Sequence, residues 1–193
     1  EFLTGLRKLC DERDIALILD EVQCGMGRTG TIMTYFQYDI LPDILCLAKG
    51  IGAGFPMGAF VANKKFAAAM EPGDHGSTYG GNPMAGQACR TVFKILEDTK
   101  MIDHVQDISE YLIEKLDDLQ EAFPCIKERR GLGLMIGLEF DKPVKDIVKT
   151  CLDLGLIVVT AGSHVVRMLP PFITTEKDVD QAIAILKEAI EKN

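Results

Sequence analysis

Two nearly unbroken apolar runs, IALILD at 15–20 and ILCLA at 44–48, end on charged side chains, Asp20 in the first and Lys49 directly after the second. Both are followed by glycine-rich chain, CGMGRTG at 24–30 and GIGAGFP at 50–56. A strand with one wet face alternates apolar and polar residues, so runs without alternation predict strands buried on both faces. That requirement restricts the fold to a mostly parallel sheet covered by helices, and such sheets place their ligand sites beyond the carboxyl ends of the strands. PMGAFVAN at 56–63 is expected to add a third strand.

Helices are expected around these strands. FLTGLRKLCDERD precedes the first run, KKFAAAM follows the third, and NPMAGQACRTVFKILED carries Ala85, Ala88, Val92 and Leu96 at packing intervals behind the start signal Asn82-Pro83. DHVQDISEYLIEKLDDLQEAF repeats the helical period with Val105, Ile108, Leu112, Leu116 and Leu119. Beyond Pro124, GLGLMIGLEF and LIVVTAGSHVVRMLPPF read as strands around the helix-like VKDIVKTCLDLG, and KDVDQAIAILKEAIEK closes the chain as an amphipathic helix. The change from buried strands with helical crossovers to a smaller mixed unit predicts a boundary near 98–104, dividing the chain into 1–100 and 101–193.

Composition supports this picture. A chain of 193 residues that is 47% hydrophobic can bury a substantial core, and a net charge of -8 argues against broad nucleic-acid binding. No segment has the length and apolarity of a membrane span. The six cysteines form no CxxC, and the three histidines lack metal-ligand spacing, so no metal site is expected and a reduced, cytoplasmic chain is favoured.

Several residues could carry chemistry. Asp20 at a strand end could bind a metal, orient a histidine, pair with a protonated ring nitrogen, or form an ordinary ion pair, and Glu21 could face another side for a structural purpose. The loop CGMGRTG lacks GxxxxGK[ST] and is read as a tight turn. Lys49 could snorkel to water or, if enclosed, act as an amine nucleophile. Asp20 and Lys49 together suit opposite ends of one carbonyl-bearing ring system. Arg28, His75 and His164 are read as structural, and Cys24 has no histidine arrangement that would make it a nucleophile.

LILDEVQCGMGRTG, PDILCLAKGIGAGFPMGAF, HGSTYGGNPMAGQA and VVRMLPPFITTEKDVDQA, in this order, closely resemble the class-III, fold-type I pyridoxal 5'-phosphate (PLP) aminotransferases. The resemblance implies an α/β chain of PLP-dependent transferase fold type I. Residues 1–100 would form the C-terminal part of the large mixed-sheet, PLP-binding domain, and 101–193 the small C-terminal α/β domain. It also implies roles. Lys49 would hold the cofactor and act in catalysis, and Asp20 would partner the pyridine nitrogen. Val22 would pack on the ring, and Gln23 would approach its phenolic oxygen. Ser77 and Thr78 would contact phosphate, Thr78 that of a neighbouring subunit in a homodimer, and Arg167 would receive a substrate carboxylate.

Within the family the resemblance runs nearest to the branch that transfers the terminal amino group of N-acetylornithine to 2-oxoglutarate through a PLP Schiff base. Ornithine or 4-aminobutyrate as donor, or a non-catalytic fragment with an assembly role, are the alternatives. The opening EFLTGLRKLC reads as the middle of a folded protein. The phosphate-binding helix start and ring-stacking aromatic that the family places upstream have no counterpart here, so these residues alone are not expected to close an active site.

Overall fold

A computed structural model describes residues 1–193, which divide into two compact units, Glu1–Ile102 and Asp103–Asn193. In the first unit, helix α1 (Phe2–Arg13) leads into β1 (Ile18–Asp20). A glycine loop and a 3-10 segment (Thr34–Tyr38) follow, then β2 (Ile44–Leu47), a second 3-10 turn (Lys49–Gly52) and β3 (Ala59–Ala62). One turn of helix, α2 (Lys64–Ala67), and the longer α3 (Pro83–Asp98) complete it. The sheet order is β1-β2-β3: β1 and β2 run parallel with Asp20 opposite Cys46, and β3 returns antiparallel with Phe60 opposite Cys46.

The sequence expectation of doubly buried strands fails on part of this sheet. Leu17, Leu45 and Leu47 are buried, and Leu17 and Leu19 pack with Cys10 of α1 and Ile40, but Ile18 is 56% exposed and Val61 57%. Alternate residues of β1 point to opposite faces, and residues 1–193 cover one face at β1 while leaving the other open. The apolar composition of these strands therefore exceeds what their own unit buries.

Asp43, which the sequence did not single out, ties the three strands together. Its Oδ2 accepts from the Leu17 N–H at 2.8 Å and from Arg7 Nη1 at 2.9 Å, and its Oδ1 accepts from Asn63 Nδ2 at 2.7 Å. The Leu17 N–H first, and the Arg7 guanidinium after it, hold this carboxyl below the usual carboxylate range. Asp43→Ala is expected to cost about 2–3 kcal/mol, because it strands a backbone donor and a guanidinium at once. Because the folded carboxyl titrates below its unfolded counterpart, its contribution is fully present above pH of about 4 and is lost as pH falls through the folded value. Urea unfolding of both proteins at pH 7 and pH 3 checks this: the difference between them should shrink in acid.

In the second unit, α4 (Met101–Ala122, its first residues preceding the division) is followed by β4 (Ile126–Leu132), β5 (Met135–Phe140), α5 (Lys145–Asp153), β6 (Val159–Thr160), β7 (Val165–Met168) and α6 (Glu176–Glu191). The sheet is antiparallel throughout, in the order β4-β5-β7-β6. β5 alternates, with Ile136, Leu138 and Phe140 buried, so this sheet turns one face to its helices. The five expected apolar positions of α4, Val105, Ile108, Leu112, Leu116 and Leu119, all enter that core, as do Val179, Leu186 and Ile190 of α6. Each such side chain contributes about 1.5–3 kcal/mol by leaving water.

Local signals set the element ends. The Asn82 side chain accepts from the Ala85 N–H at 2.9 Å and starts α3 where the sequence indicated. Thr175 and Asp178 form a reciprocal capping box at the start of α6. Gly131 lies at φ +130°, where a Cβ would fall 2.1 Å from the Met135 carbonyl oxygen, so only glycine fits this arm of the β4–β5 hairpin. No helix is long and apolar enough to cross a membrane.

Candidate active site

Parallel pairing of β1 with β2 carries Asp20 and Lys49 to the same end of the sheet, beyond the carboxyl ends of the two strands. Asp20 is the last residue of β1, and Lys49 opens the 3-10 turn just beyond the end of β2. Asp20 is exposed, and its Oδ1 accepts from the Val22 N–H at 2.9 Å, which fixes the carboxylate through one oxygen. Cys46 is its register neighbour on β2. The Cys24 thiol approaches the Asp20 carbonyl oxygen at 3.8 Å, a packing contact. Lys49 is exposed and adopts φ +48°, a left-handed conformation that a residue with a Cβ occupies only when its surroundings hold it there.

Glu21 faces the opposite way from Asp20. It is 3% exposed, and its two carboxylate oxygens accept the Thr34 N–H at 2.7 Å and the Tyr35 N–H at 2.8 Å, satisfying backbone donors at the start of the first 3-10 segment. Its charge raises the Tyr35 hydroxyl pKa further, after the larger effect of burial. Two successive carboxylates thus divide their work, one facing the open edge and one anchoring the interior.

The glycine loop between them is a built turn. The Gly25 N–H donates to the Glu21 carbonyl oxygen at 3.1 Å, and a Cβ at Gly25 would lie 2.9 Å from that oxygen and 3.0 Å from Glu21 Oε2. Thr34 Oγ1 donates to the Cys24 carbonyl at 2.9 Å, and Gln37 Nε2 to the Thr29 carbonyl at 2.8 Å. Arg28 is half-buried, and desolvation lowers its pKa. The reading of this segment as a tight turn matches these bonds.

The other named residues fall in three places. Val22 and Gln23 are half-buried at the end of β1, adjoining Asp20. Ser77 and Thr78 sit in the exposed chain before α3, where Ser77, Pro56, Met57, Asn82, Ala85 and Gly86 line a cavity of about 370 Å³. His75 packs edge-on against Phe60, ring centres 6.3 Å apart, in keeping with its structural reading. Arg167 belongs to the second unit: it is half-buried on β7 between Gly137 and Val159, and its neighbours Val166 and Met168 enter the core, so Arg167 lies on the other sheet face. His164, close by, pairs its Nδ1 with Ser163 Oγ at 2.7 Å.

The sequence also passed over Met26. It is 3% exposed, at φ +57°, between Gly25 and Gly27. A Cβ built on Gly50, the residue after Lys49, would lie 3.2 Å from Met26 Cβ. A lone bulky residue flanked by glycines was the only sequence signal for this approach.

Asp20 and Lys49 fit a cofactor with a cationic ring nitrogen at one end and an aldehyde at the other: an anion ends one parallel strand and a primary amine follows the end of its neighbour. Comparison with known proteins points the same way. A family model described as aminotransferase class-III matches residues 1–190. The acetylornithine aminotransferase of Clostridium acetobutylicum is 46% identical over 191 residues, covering 98% of this chain and 49% of that protein. Among solved structures, the N-acetylornithine aminotransferase of Stenotrophomonas maltophilia K279a is 35% identical with a TM-score of 0.86, over 99% of this chain and 51% of that one. An ornithine aminotransferase of Plasmodium yoelii reaches a TM-score of 0.94 at 29% identity, over 100% of this chain and 52% of that one. The chain spans about half the length of the curated relatives it matches.

Proposed function

The chain belongs to the class-III aminotransferases, PLP-dependent enzymes of fold type I, and from that premise we propose that it supplies the lysine and ring-nitrogen partner of an enzyme moving the terminal amino group of N-acetylornithine to 2-oxoglutarate. The observation that carries this reading is the emergence of Asp20 and Lys49 from the ends of adjacent parallel strands.

When bound, PLP supplies a conjugated ring that delocalises the electrons left behind when a proton leaves the amino-bearing carbon. The protein's part is positioning and proton movement. Lys49 Nζ would hold the cofactor through its aldehyde and, once freed by the amino substrate, would serve as the acid–base group that moves the proton. Asp20, steadied through Oδ1 by the Val22 N–H, presents a negative charge that keeps the ring nitrogen protonated. Val22 would pack on the ring face, and Gln23 would donate toward the phenolic oxygen. Arg167, a planar two-pronged donor, receives a substrate carboxylate. Ser77 and Thr78 would hold the phosphate, Thr78 across a homodimer interface. Six free cysteines suit a reducing cytoplasm.

Relatives between 40% and 46% identical are described as acetylornithine aminotransferases, which supports N-acetylornithine as donor. The high TM-score of the ornithine aminotransferase structure makes ornithine the second candidate. Steady-state assays of the full-length protein with PLP and 2-oxoglutarate separate them. N-acetylornithine is expected to give a kcat/KM at least about ten-fold above ornithine and 4-aminobutyrate, the scale on which a single substrate group is discriminated in a pocket. A preference for either competitor overturns the donor assignment and leaves the reaction class standing.

A further inference from the structure

The left-handed turn that presents Lys49 needs something to hold it, and the groups around it show what does. Lys49 (φ +48°) and Ala53 (φ +45°) both sit where L side chains are strained, with Gly50, Ile51 and Gly52 between them. Around the turn the Ile51 N–H donates to the Ala48 carbonyl and the Ala53 N–H to the Gly50 carbonyl, each at 3.2 Å, and the Phe55 N–H donates to the Gly52 carbonyl at 2.9 Å. Local bonds close the turn, but Lys49 and Ala53 remain in backbone conformations that persist only where the surroundings hold them.

The remaining support is steric and comes from the glycine loop. Met26 Cβ stands 3.2 Å and Cγ 3.8 Å from where a Gly50 Cβ would be, so the bare Gly50 backbone lies directly on the Met26 side chain. Met26 is itself held at φ +57° by the turn around it, in which the Gly27 N–H donates to the Ile32 carbonyl at 3.2 Å and the Arg28 N–H to the Gly25 carbonyl at 3.4 Å. That turn is anchored by the Gly25 N–H, which donates to the backbone carbonyl of the buried Glu21 at 3.1 Å. From Glu21 through Gly25 and Met26 to Gly50, the support is a continuous series of close approaches.

We infer that Met26 is a positioning residue: its buried side chain, seated against the Cβ-less Gly50, holds the left-handed turn that aims Lys49 Nζ at the cofactor aldehyde. This role rests on the assignment of Lys49 as the attaching amine. It adds a function for the motif CGMGRTG, whose glycines let Met26 pass under the turn. A displacement of the amine by a fraction of an ångström is enough to slow its reaction, since productive geometry for attack is narrow.

The test is a double-variant cycle on the full-length apoprotein, reading the rate at which added PLP becomes a borohydride-reducible adduct at Lys49, located by peptide mass spectrometry. Gly50→Ala drives a methyl against Met26 and is expected to slow capture about ten-fold or more. Met26→Gly removes the buttress at a φ that glycine adopts freely, and is expected to slow capture by a similar factor. The two acting through one shared surface should be non-additive, so Met26→Gly/Gly50→Ala is expected to be no slower than the slower single variant. Met26→Leu, which keeps the bulk, should stay within about three-fold of the parent. The pH midpoint of the visible band of the PLP-loaded Met26→Gly protein should also move, which a loss of stability alone would not cause.

Capture at the parent rate by both single variants, or effects that simply multiply in the double variant, overturns the inference. If Gly50→Ala does not fold, Met26→Gly against Met26→Leu decides by the same readouts. Lys49→Ala separates the two assignments: adduct formation at another lysine, at the parent rate, removes the role of Lys49 as well. Loss of the adduct in Lys49→Ala, beside unchanged Met26→Gly and Gly50→Ala proteins, removes the positioning role alone.

Discussion

Lys49→Ala in the full-length protein is expected to abolish the reducible link to PLP and to lower the transamination kcat by roughly 10³-fold or more. Two functions vanish with one side chain. The covalent attachment goes because no other amine opens the turn at the end of β2. Proton transfer between substrate and cofactor carbons goes with it, and a positioned acid–base group alone contributes about 10²–10⁴-fold. Folding should be spared. Lys49 is exposed, although its φ of +48° favours glycine over alanine, so Lys49→Gly is the matched control for backbone strain. Visible absorbance of PLP-loaded protein, with single-turnover assays using the amino donor, checks the expectation. Retention of both the absorbance band and turnover in Lys49→Ala would exclude Lys49 as the attaching residue.

Asp20→Asn carries the second large effect, a fall in kcat of roughly 10²-fold or more together with weaker PLP binding. The substitution is chosen because asparagine keeps an acceptor oxygen for the Val22 N–H and so preserves the bend that ends β1. What it removes is charge. A ring nitrogen facing an anion holds its proton, whereas one facing a neutral amide loses that bias, at about 1.36 kcal/mol for each pKa unit. An unprotonated ring is a weaker electron acceptor, so the loss should fall on the proton-removal step and lower kcat more than it raises KM. Asp20→Ala should be worse, since the Val22 N–H also loses its partner. The decisive comparison is the ratio of rates with protiated and deuterated donor carbon, which should show proton removal becoming more rate-limiting in Asp20→Asn. Parent-like kcat and PLP affinity in that variant would take Asp20 out of the site.

Helices were largely legible because their signals are local. The period of Val105, Ile108, Leu112, Leu116 and Leu119 matches one helical face, and each of these residues is buried. Asn82-Pro83 starts α3 by a hydrogen bond within three residues. Strand β4 was missed for an equally physical reason. IKERRGL holds its place at the edge of the second sheet by backbone pairing with β5, and its mostly exposed side chains carry no apolar alternation. The charges there serve the surface, where Arg129 pairs with Asp117 and Arg130 with Glu128 and Glu139.

The candidate site divides along the same line. Residue order alone identified which side chains end the apolar runs, and chemical type alone made an acid and an amine suitable for one ring cofactor. That they come to the same end of the sheet depends on β1 and β2 being parallel neighbours in a register that sets Asp20 opposite Cys46, a pairing across 26 residues. Which carboxylate of the Asp20–Glu21 pair faces outward, and which residue braces the Lys49 turn, were likewise tertiary outcomes. Strand alternation requires two successive side chains to part, but only the donors waiting at Thr34 and Tyr35 draw Glu21 inward. Only the approach of two glycine-bearing loops puts Met26 beneath Gly50. Local periodicity and chemistry are written along the chain, whereas proximity between distant segments exists only once their backbones have been brought within a few ångströms.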